Sequence, residues 1–303
     1  MKNNPTNITY LGPAGATFSA IAYDKLAAMY GAPLSTDAGV TFSLATENKE
    51  VLPLMLEHGG FGTIAMETRA DGRVDPPVNS FIEFVRTYNN DCPIQVIGAL
   101  CMKIHFVLMA KKGVSIGDIQ TVIAHPRAFG ACWENVKKLG VAVQTIEVPS
   151  NGKAAEDAAH ADLSAKVAAL GPIEAAQKYG LEVLSEAFED KEAVTTFYFL
   201  GPQSYAAVPI LALSQSSSIT RALLVFRVKH NPGALVKALK PFADKKINLR
   251  LIHSLHLENG VYDFAIETES KSSRLEWHQK AMHAAQKHMD RWIQFGPFPV
   301  NVE

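Results

Sequence analysis

The stretch Ala193-Val194-Thr195-Thr196-Phe197-Tyr198-Phe199-Leu200-Gly201 reads as a short buried strand. Four apolar residues follow the threonines, and Gly201 reads as the stop. The charged segment Glu186–Glu192 precedes it like a surface loop. Two adjacent hydroxyls therefore stand where a polar loop enters a core strand. Such hydroxyls can donate to a leaving group without carrying charge into an apolar pocket. Two β-branched residues opening a strand would look the same, so the rest of the chain has to decide.

Upstream, apolar runs of strand length alternate with stretches of helical spacing. Strands are expected at Asn7–Leu11, Gly62–Met66, Thr121–Ala124, Val141–Val148, Val167–Leu170 and Leu181–Leu184. Helices are expected over Phe18–Tyr30, capped by Thr17 or Ser19, and over Asn48–His58, Val78–Tyr88, His125–Leu139, Ser150–His160 and Ile173–Tyr179. This alternation implies an α/β domain with a mainly parallel sheet. Gln95–Ala110 holds two apolar runs split by Lys103, the pattern of strands crossing between two lobes. The 193–201 strand would then return the chain to the first lobe.

Downstream, Gln203–Ser218 carries no charge and ends in a serine run, which reads as a linker. Strand, helix, strand, strand, helix and strand follow: Arg221–Val228, Ala234–Ala243, Ile247–His256, Val261–Glu267, Ser273–Lys287 and Trp292–Phe295. That β-α-β-β-α-β order is ferredoxin-like, with Asn259-Gly260 as the hairpin turn. The expected division is residues 1–202, a linker at 203–218, and a second domain at 219–303.

With 29 Lys+Arg against 30 Asp+Glu, the chain has no net field to gather nucleic acid or anionic membrane. Cys92, Cys101 and Cys132 form no C-x-x-C pair, which fits free thiols in a reducing compartment. No secretory h-region and no run of membrane-spanning length is visible. A cytoplasmic protein with neither nucleic acid nor membrane as partner is the expectation.

Three strand-to-helix junctions carry small or polar residues: Gly12–Ser19, His125–Arg127 and Ser150–Lys153. In open α/β sheets such junctions lie at the carboxyl edge, where ligands bind. Free N–H groups at helix starts favour anions, and Arg127 and Lys153 add charge. A small acidic ligand with more than one anionic group is implied. Gly12-Pro13-Ala14-Gly15-Ala16-Thr17 lacks the spacing of a dinucleotide fingerprint. His105 and His125 are candidates for ligand orientation or acid–base work, with a core role the alternative. No metal-ligand spacing and no G-x-S-x-G occurs, so no metal site is expected.

These pieces resemble the prephenate dehydratases, in order: G-P-A-G-A-T-F-S at Gly12–Ser19, I-A-M-E-T-R-A-D-G-R-V at Ile64–Val74, Ile104-His105, H-P-R-A-F-G-A-C at His125–Cys132, S-N-G-K-A-A at Ser150–Ala155, A-A-L-G-P-I-E-A-A-Q-K-Y-G-L-E-V-L at Ala168–Leu184, and T-T-F-Y-F-L-G at Thr195–Gly201. The second domain resembles their ACT regulatory domain, with G-A-L-V at Gly233–Val236 and I-N-L at Ile247–Leu249. The resemblance implies a two-lobed, periplasmic-binding-protein-like catalytic domain and a homodimer or homotetramer. It implies loss of carbon dioxide and water from prephenate, a dicarboxylate, without metal or cofactor.

By the same resemblance, Thr195, Glu67 and His125 are the candidate catalytic residues. Candidate substrate contacts are Gly15, Thr17, Ser19, Thr68, Arg69, Arg127, Ser150, Asn151, Lys153, Thr196 and Phe197. Gly233, Ala234, Leu235 and Ser254 are candidates for holding an amino-acid effector. The chain departs from the family where chemistry is expected. Thr196 stands where an arginine should follow the catalytic threonine, and Ala193 where an asparagine is usual. The family's E-N-S is Glu67-Thr68-Arg69, and its E-S-R-P is His253-Ser254-Leu255-His256. A hydroxyl cannot replace a bidentate guanidinium, so Arg69 or Arg127 is expected to supply the cation. Two other readings stay open: a prephenate decarboxylase that does not aromatise the ring, and a non-catalytic ligand sensor. Phenylalanine inhibition is expected to be weak or absent.

Overall fold

The computed structural model describes residues 6–68, 72, 73, 75–88, 92–205, 217–256 and 261–303. In chain order its strands are β1 (Thr6–Leu11), β2 (Val40–Ala45), β3 (Phe61–Thr68), β4 (Gly72–Arg73), β5 (Ile94–Ile104), β6 (Val107–Ala110), β7 (Thr121–Ala124), β8 (Gln144–Glu147), β9 (Val167–Gly171), β10 (Glu182–Ser185), β11 (Ala193–Pro202), β12 (Ile219–Arg227), β13 (Asn248–His256), β14 (Tyr262–Lys271) and β15 (Arg291–Val302). Its helices are α1 (Phe18–Tyr30), α2 (Val51–His58), α3 (Asp75–Thr87), α4 (Pro126–Lys138), α5 (Asn151–His160), α6 (Ile173–Tyr179), α7 (Ala234–Asp244) and α8 (Leu275–Gln286).

Two sheets result. The first runs β13-β14-β12-β15-β5-β11-β3-β1-β2, with β4 on β3, and the second runs β10-β6-β9-β7-β8. The chain leaves the first sheet at the end of β5 and returns through β10 and β11. β11 inserts between β5 and β3, antiparallel to both. β6 and β9 are likewise antiparallel, while β1 with β2 and β3, and β7 with β8 and β9, are parallel. The crossing strands thus run against the parallel cores. The break between β5 and β6 falls at His105-Phe106, and Lys103 lies inside β5.

Three expectations need correction. β11 does not stop at Gly201 but runs through Pro202. A Cβ at Gly201 would meet Ile97 Cδ1 at 2.5 Å and the Phe61 ring at 3.0 Å, so glycine serves close packing there. β2 has no counterpart in the sequence reading, because it is an edge strand with an irregular, partly exposed pattern. β15 is far longer than Trp292–Phe295. Its Pro297 falls where the ladder with β12 shifts register, the kind of place a strand tolerates proline, and Pro299 lies opposite Thr220. β15 reaches β5 only from Val300, where Val300, Asn301 and Val302 pair in parallel with Ala99, Leu100 and Cys101.

The C-terminal strands take the order β13-β14-β12-β15, with α7 and α8 packed on one face around Phe226, Phe242, Ile266 and Met282. The other face closes on α3. Phe81 and Phe84 of α3 join Leu223, Val225, Leu251, Ala265 and Phe295 in one buried cluster. Asn259-Gly260 and residues 206–216 of the expected linker lie outside the described residues, while Gln203–Tyr205 forms a single 3-10 turn. Among the described residues no helix is long and apolar enough to cross a membrane.

Candidate functional site

Three helix starts meet at one cleft. Thr17 caps α1: its Oγ1 accepts from Ala20 N at 3.2 Å and donates to Leu11 O at 2.8 Å. Ser150 caps α5: its Oγ accepts from Lys153 N at 3.1 Å and donates to Gly12 O at 2.8 Å. These hydroxyls are consumed in holding the two turns together. Gly152 completes the fit, since a Cβ there would lie 2.7 Å from Pro13 Cδ and 2.8 Å from Ala16 O. His125 opens α4, with Pro126 in its first turn and Nδ1 accepting from Arg127 N at 3.2 Å. Its backbone N–H donates to Asn151 Oδ1 at 3.0 Å, tying the α4 and α5 starts. The capping groups satisfy one first-turn N–H of each helix, and helix starts of this kind suit anions.

The cleft is partly open and lined by both polar and apolar side chains. Its apolar wall includes Phe18, Ile104, Phe106 and Phe197. On the opposite side the Arg127 guanidinium donates from Nη1 to Thr68 Oγ1 at 2.8 Å, and Thr68 Oγ1 lies 3.2 Å from Thr195 Oγ1. Thr68 and Thr195 face each other across β3 and β11 and are both buried. Thr68 Oγ1 accepts from Arg127 and still has a proton and a second lone pair for Thr195, so either hydroxyl can donate to the other. Where Thr68 donates, the Thr195 proton can point into the cleft.

Thr17, Ser19, Thr68, His125, Arg127, Ser150, Asn151, Thr195 and Phe197 are brought together as lining residues. Five other candidates are not. Glu67 and Thr196 each precede or follow a lining residue by one position, so strand alternation turns them to the other face. Glu67 pairs with Arg250 at 3.0 Å, and Thr196 Oγ1 lies 3.4 Å from Cys101 Sγ. Lys153 turns outward to Glu156 and Asp157, at 3.1 and 2.6 Å on its own helix. Gly15 shapes the turn before α1 with φ +64° and does not line the cleft. Arg69 lies outside the described residues. His105 is exposed and bonded to Glu189 Oε1 at 2.7 Å, away from the cleft.

Asn48 was missed. It lines the cleft, and its buried Oδ1 has no hydrogen-bond partner among the described residues. An orphaned acceptor at a ligand cleft is ready for a ligand hydroxyl. In the sequence Asn48 is merely the first residue of a helix, and only the orphaned oxygen singles it out. Of the effector candidates, Gly233, Ala234 and Leu235 line a second cavity with Tyr262 and Phe264, and Ser254 on β13 does not. Among the described residues no group of three His, Cys, Asp or Glu side chains can hold a metal ion.

Burial, and then the Arg127 charge, push His125 down to about 4. It is neutral at pH 7, with the proton on Nε2 because Nδ1 accepts. His278, buried between Thr268 Oγ1 (2.7 Å) and Ser270 Oγ (3.0 Å), is pushed down to about 4 by burial alone. A histidine whose folded value is depressed binds fewer protons folded than unfolded. Its contribution is therefore present above pH 6.5 and lost as pH falls towards 4. The two together are expected to cost on the order of 3 kcal/mol between pH 7 and pH 5. Urea midpoints at these two pH values check this, and an unchanged midpoint contradicts the buried neutral assignment.

A cleft of helix starts, one guanidinium and a buried hydroxyl pair, on two α/β sheets, defines a site for a small anionic molecule. Residues 8–205 match the prephenate dehydratase family. Prephenate dehydratase of Methanocaldococcus jannaschii is 28% identical over 249 residues, 81% of this chain and 83% of that protein. That of Mycolicibacterium gilvum is 30% identical over 271 residues, 86% of this chain and 80% of that protein. The crystal structure of prephenate dehydratase from Arthrobacter aurescens, in complex with L-Phe, superposes with TM-score 0.74 at 22% identity, covering 97% of this chain and 90% of that one. GqqA, described as a novel type of quorum quenching acylase, superposes with TM-score 0.72 at 20% identity, covering 97% and 98%. At such identities the structures speak for the fold alone. The chain belongs to the prephenate dehydratase family.

Proposed function

We propose that this protein is a prephenate dehydratase, a carbon–oxygen lyase that forms phenylpyruvate for phenylalanine synthesis. The observation that carries this reading is the Arg127–Thr68–Thr195 chain in the cleft. Prephenate carries a carboxylate and a pyruvyl side chain on one ring carbon and a hydroxyl on the carbon opposite. Breaking the ring carbon–carboxylate bond releases carbon dioxide and leaves an electron pair in the ring. That pair aromatises the ring as the opposite carbon–oxygen bond breaks. Hydroxide is a poor leaving group at neutral pH, so Thr195 Oγ1 gives it a proton and water departs. Solvent returns the proton to Thr195. Asn48 Oδ1 accepts from the substrate hydroxyl, and neutral His125 donates from Nε2. The carboxylates face the starts of α1 and α5 and the Arg127 guanidinium, which takes the place of the arginine missing at Thr196.

The same reading takes residues 1–202 as a two-lobed, periplasmic-binding-protein-like catalytic domain, 203–218 as linker and 219–303 as an ACT domain. Its cavity at Gly233–Leu235 is then the place for an amino-acid effector. A cytoplasmic homodimer or homotetramer goes with it. The substitutions at Ala193 and Thr196 favour one second reading, a decarboxylase that keeps the ring hydroxyl. Incubation of purified protein with prephenate decides. Phenylpyruvate is expected, a non-aromatic dihydro keto acid marks the decarboxylase, and no turnover refutes both.

A further inference from the structure

We propose that Glu67 and Arg250 are a positioning pair, through which the C-terminal sheet fixes the end of β3 and so the Thr68–Thr195 hydroxyl pair. Glu67 is adjacent to Thr68 but faces away from the cleft, where its Oε2 meets Arg250 Nη2 at 3.0 Å. The end of β3 is paired on both sides, but beside an irregularity. Its ladder with β11 shifts register between Thr196 and Phe197, next to the Glu67 and Thr68 pairs, and among the described residues its other side meets Gly72 and Arg73 of β4. Irregular ladders beside a site re-aim side chains, and such an end needs an outside anchor.

Arg250 is a fixed anchor. Its guanidinium is within 3.5 Å of Glu269 and 3.9 Å of Glu267. Arg221, 4% exposed, bridges the same two carboxylates at 2.8 and 3.3 Å. Glu67 is thereby joined to a charge network on β12, β13 and β14. Arg221 and Arg250 lie among three carboxylates, those of Glu67, Glu267 and Glu269. An isolated surface pair is worth little. This one ends in a network with buried Arg221 and Glu267, on C-terminal strands that also pack against α3. Phe295 packs edge-on to Phe81 of α3 at 4.9 Å between ring centroids, and Arg86 of α3 meets buried Asp263 at 3.3 Å.

The kinetic part rests on the proposed dehydratase reading, and the structural part does not. A reacting group displaced by about 1 Å loses on the order of 10² in rate. Arg250→Ala and the isosteric Glu67→Gln are each expected to lower kcat about tenfold with KM changed less than about twofold. Arg250→Lys should recover most of the loss. In a Thr195→Val background Arg250→Ala should cost little more, because its effect passes through Thr195. The γ2-methyl NMR signals of Thr68 and Thr195 should move in both single variants, whether or not prephenate turns over. Unmoved methyl signals overturn the proposal, as does a loss that adds fully to that of Thr195→Val. A wild-type protein inactive on prephenate sinks the functional reading instead, and the methyl signals then decide the coupling alone.

Discussion

Thr195→Val is expected to lower kcat by roughly 10²–10⁴, the usual scale for a general acid, with prephenate bound nearly as well. Valine keeps the shape and β-branching of threonine, so β11 and the cleft wall should stand. What disappears is the proton donor opposite Thr68, at 3.2 Å. The size of the effect separates the two enzyme readings. A dehydratase must protonate the departing hydroxyl, whereas a decarboxylase that keeps it protonates ring carbon and has no need of Thr195. Thr196→Val is the internal control. Its hydroxyl faces Cys101 on the other side of the sheet, so its cost should be small. Steady-state kinetics with product identification checks both. Unimpaired turnover by Thr195→Val would remove the mechanism.

Arg127→Met is expected to lower kcat/KM by about 10²-fold, the scale of a lost charge-assisted hydrogen bond of roughly 1.5–3 kcal/mol. Two consequences should divide between the constants. Losing a cation for the substrate carboxylate raises KM. Losing the donor to Thr68 at 2.8 Å frees the hydroxyl pair to turn and lowers kcat. Arg127→Lys keeps the charge but not the planar fork, so it should recover KM better than kcat. Arg127→Met also removes the smaller of the two causes that depress His125, after burial. The imidazole should then titrate at a higher pH, visible by NMR. A variant with wild-type kcat/KM would show that the carboxylate is held elsewhere, and Arg69 would be the residue to test.

Local physics made much of this legible from residues alone. Thr17, His125-Pro126 and Ser150 announce helix starts by capping chemistry, and all three begin helices at the cleft. Apolar runs bounded by turn residues located β3, β7, β9 and β11. Capping and periodicity are settled within a few residues of chain, so one sequence suffices to read them.

Tertiary structure decided which neighbours face the cleft and what they meet there. Thr68 with Glu67, and Thr195 with Thr196, are adjacent pairs whose side chains must point oppositely. Which member faces the ligand depends on where the second sheet lies. Lys153 reads as an anion-binding residue until its own helix supplies Glu156 and Asp157. Asn48 gains meaning only as an acceptor left without a donor. The Arg127 guanidinium is brought by folding to Thr68, a threonine 59 residues away in the chain. β15 outran its expected length because β12 carries its ladder on to Val300 and β5, far earlier in the chain, then pairs with Val300–Val302. Residue type and spacing determine the elements and their caps. Facing, ion pairing and strand reach depend on partners distant in sequence, which close packing alone brings together.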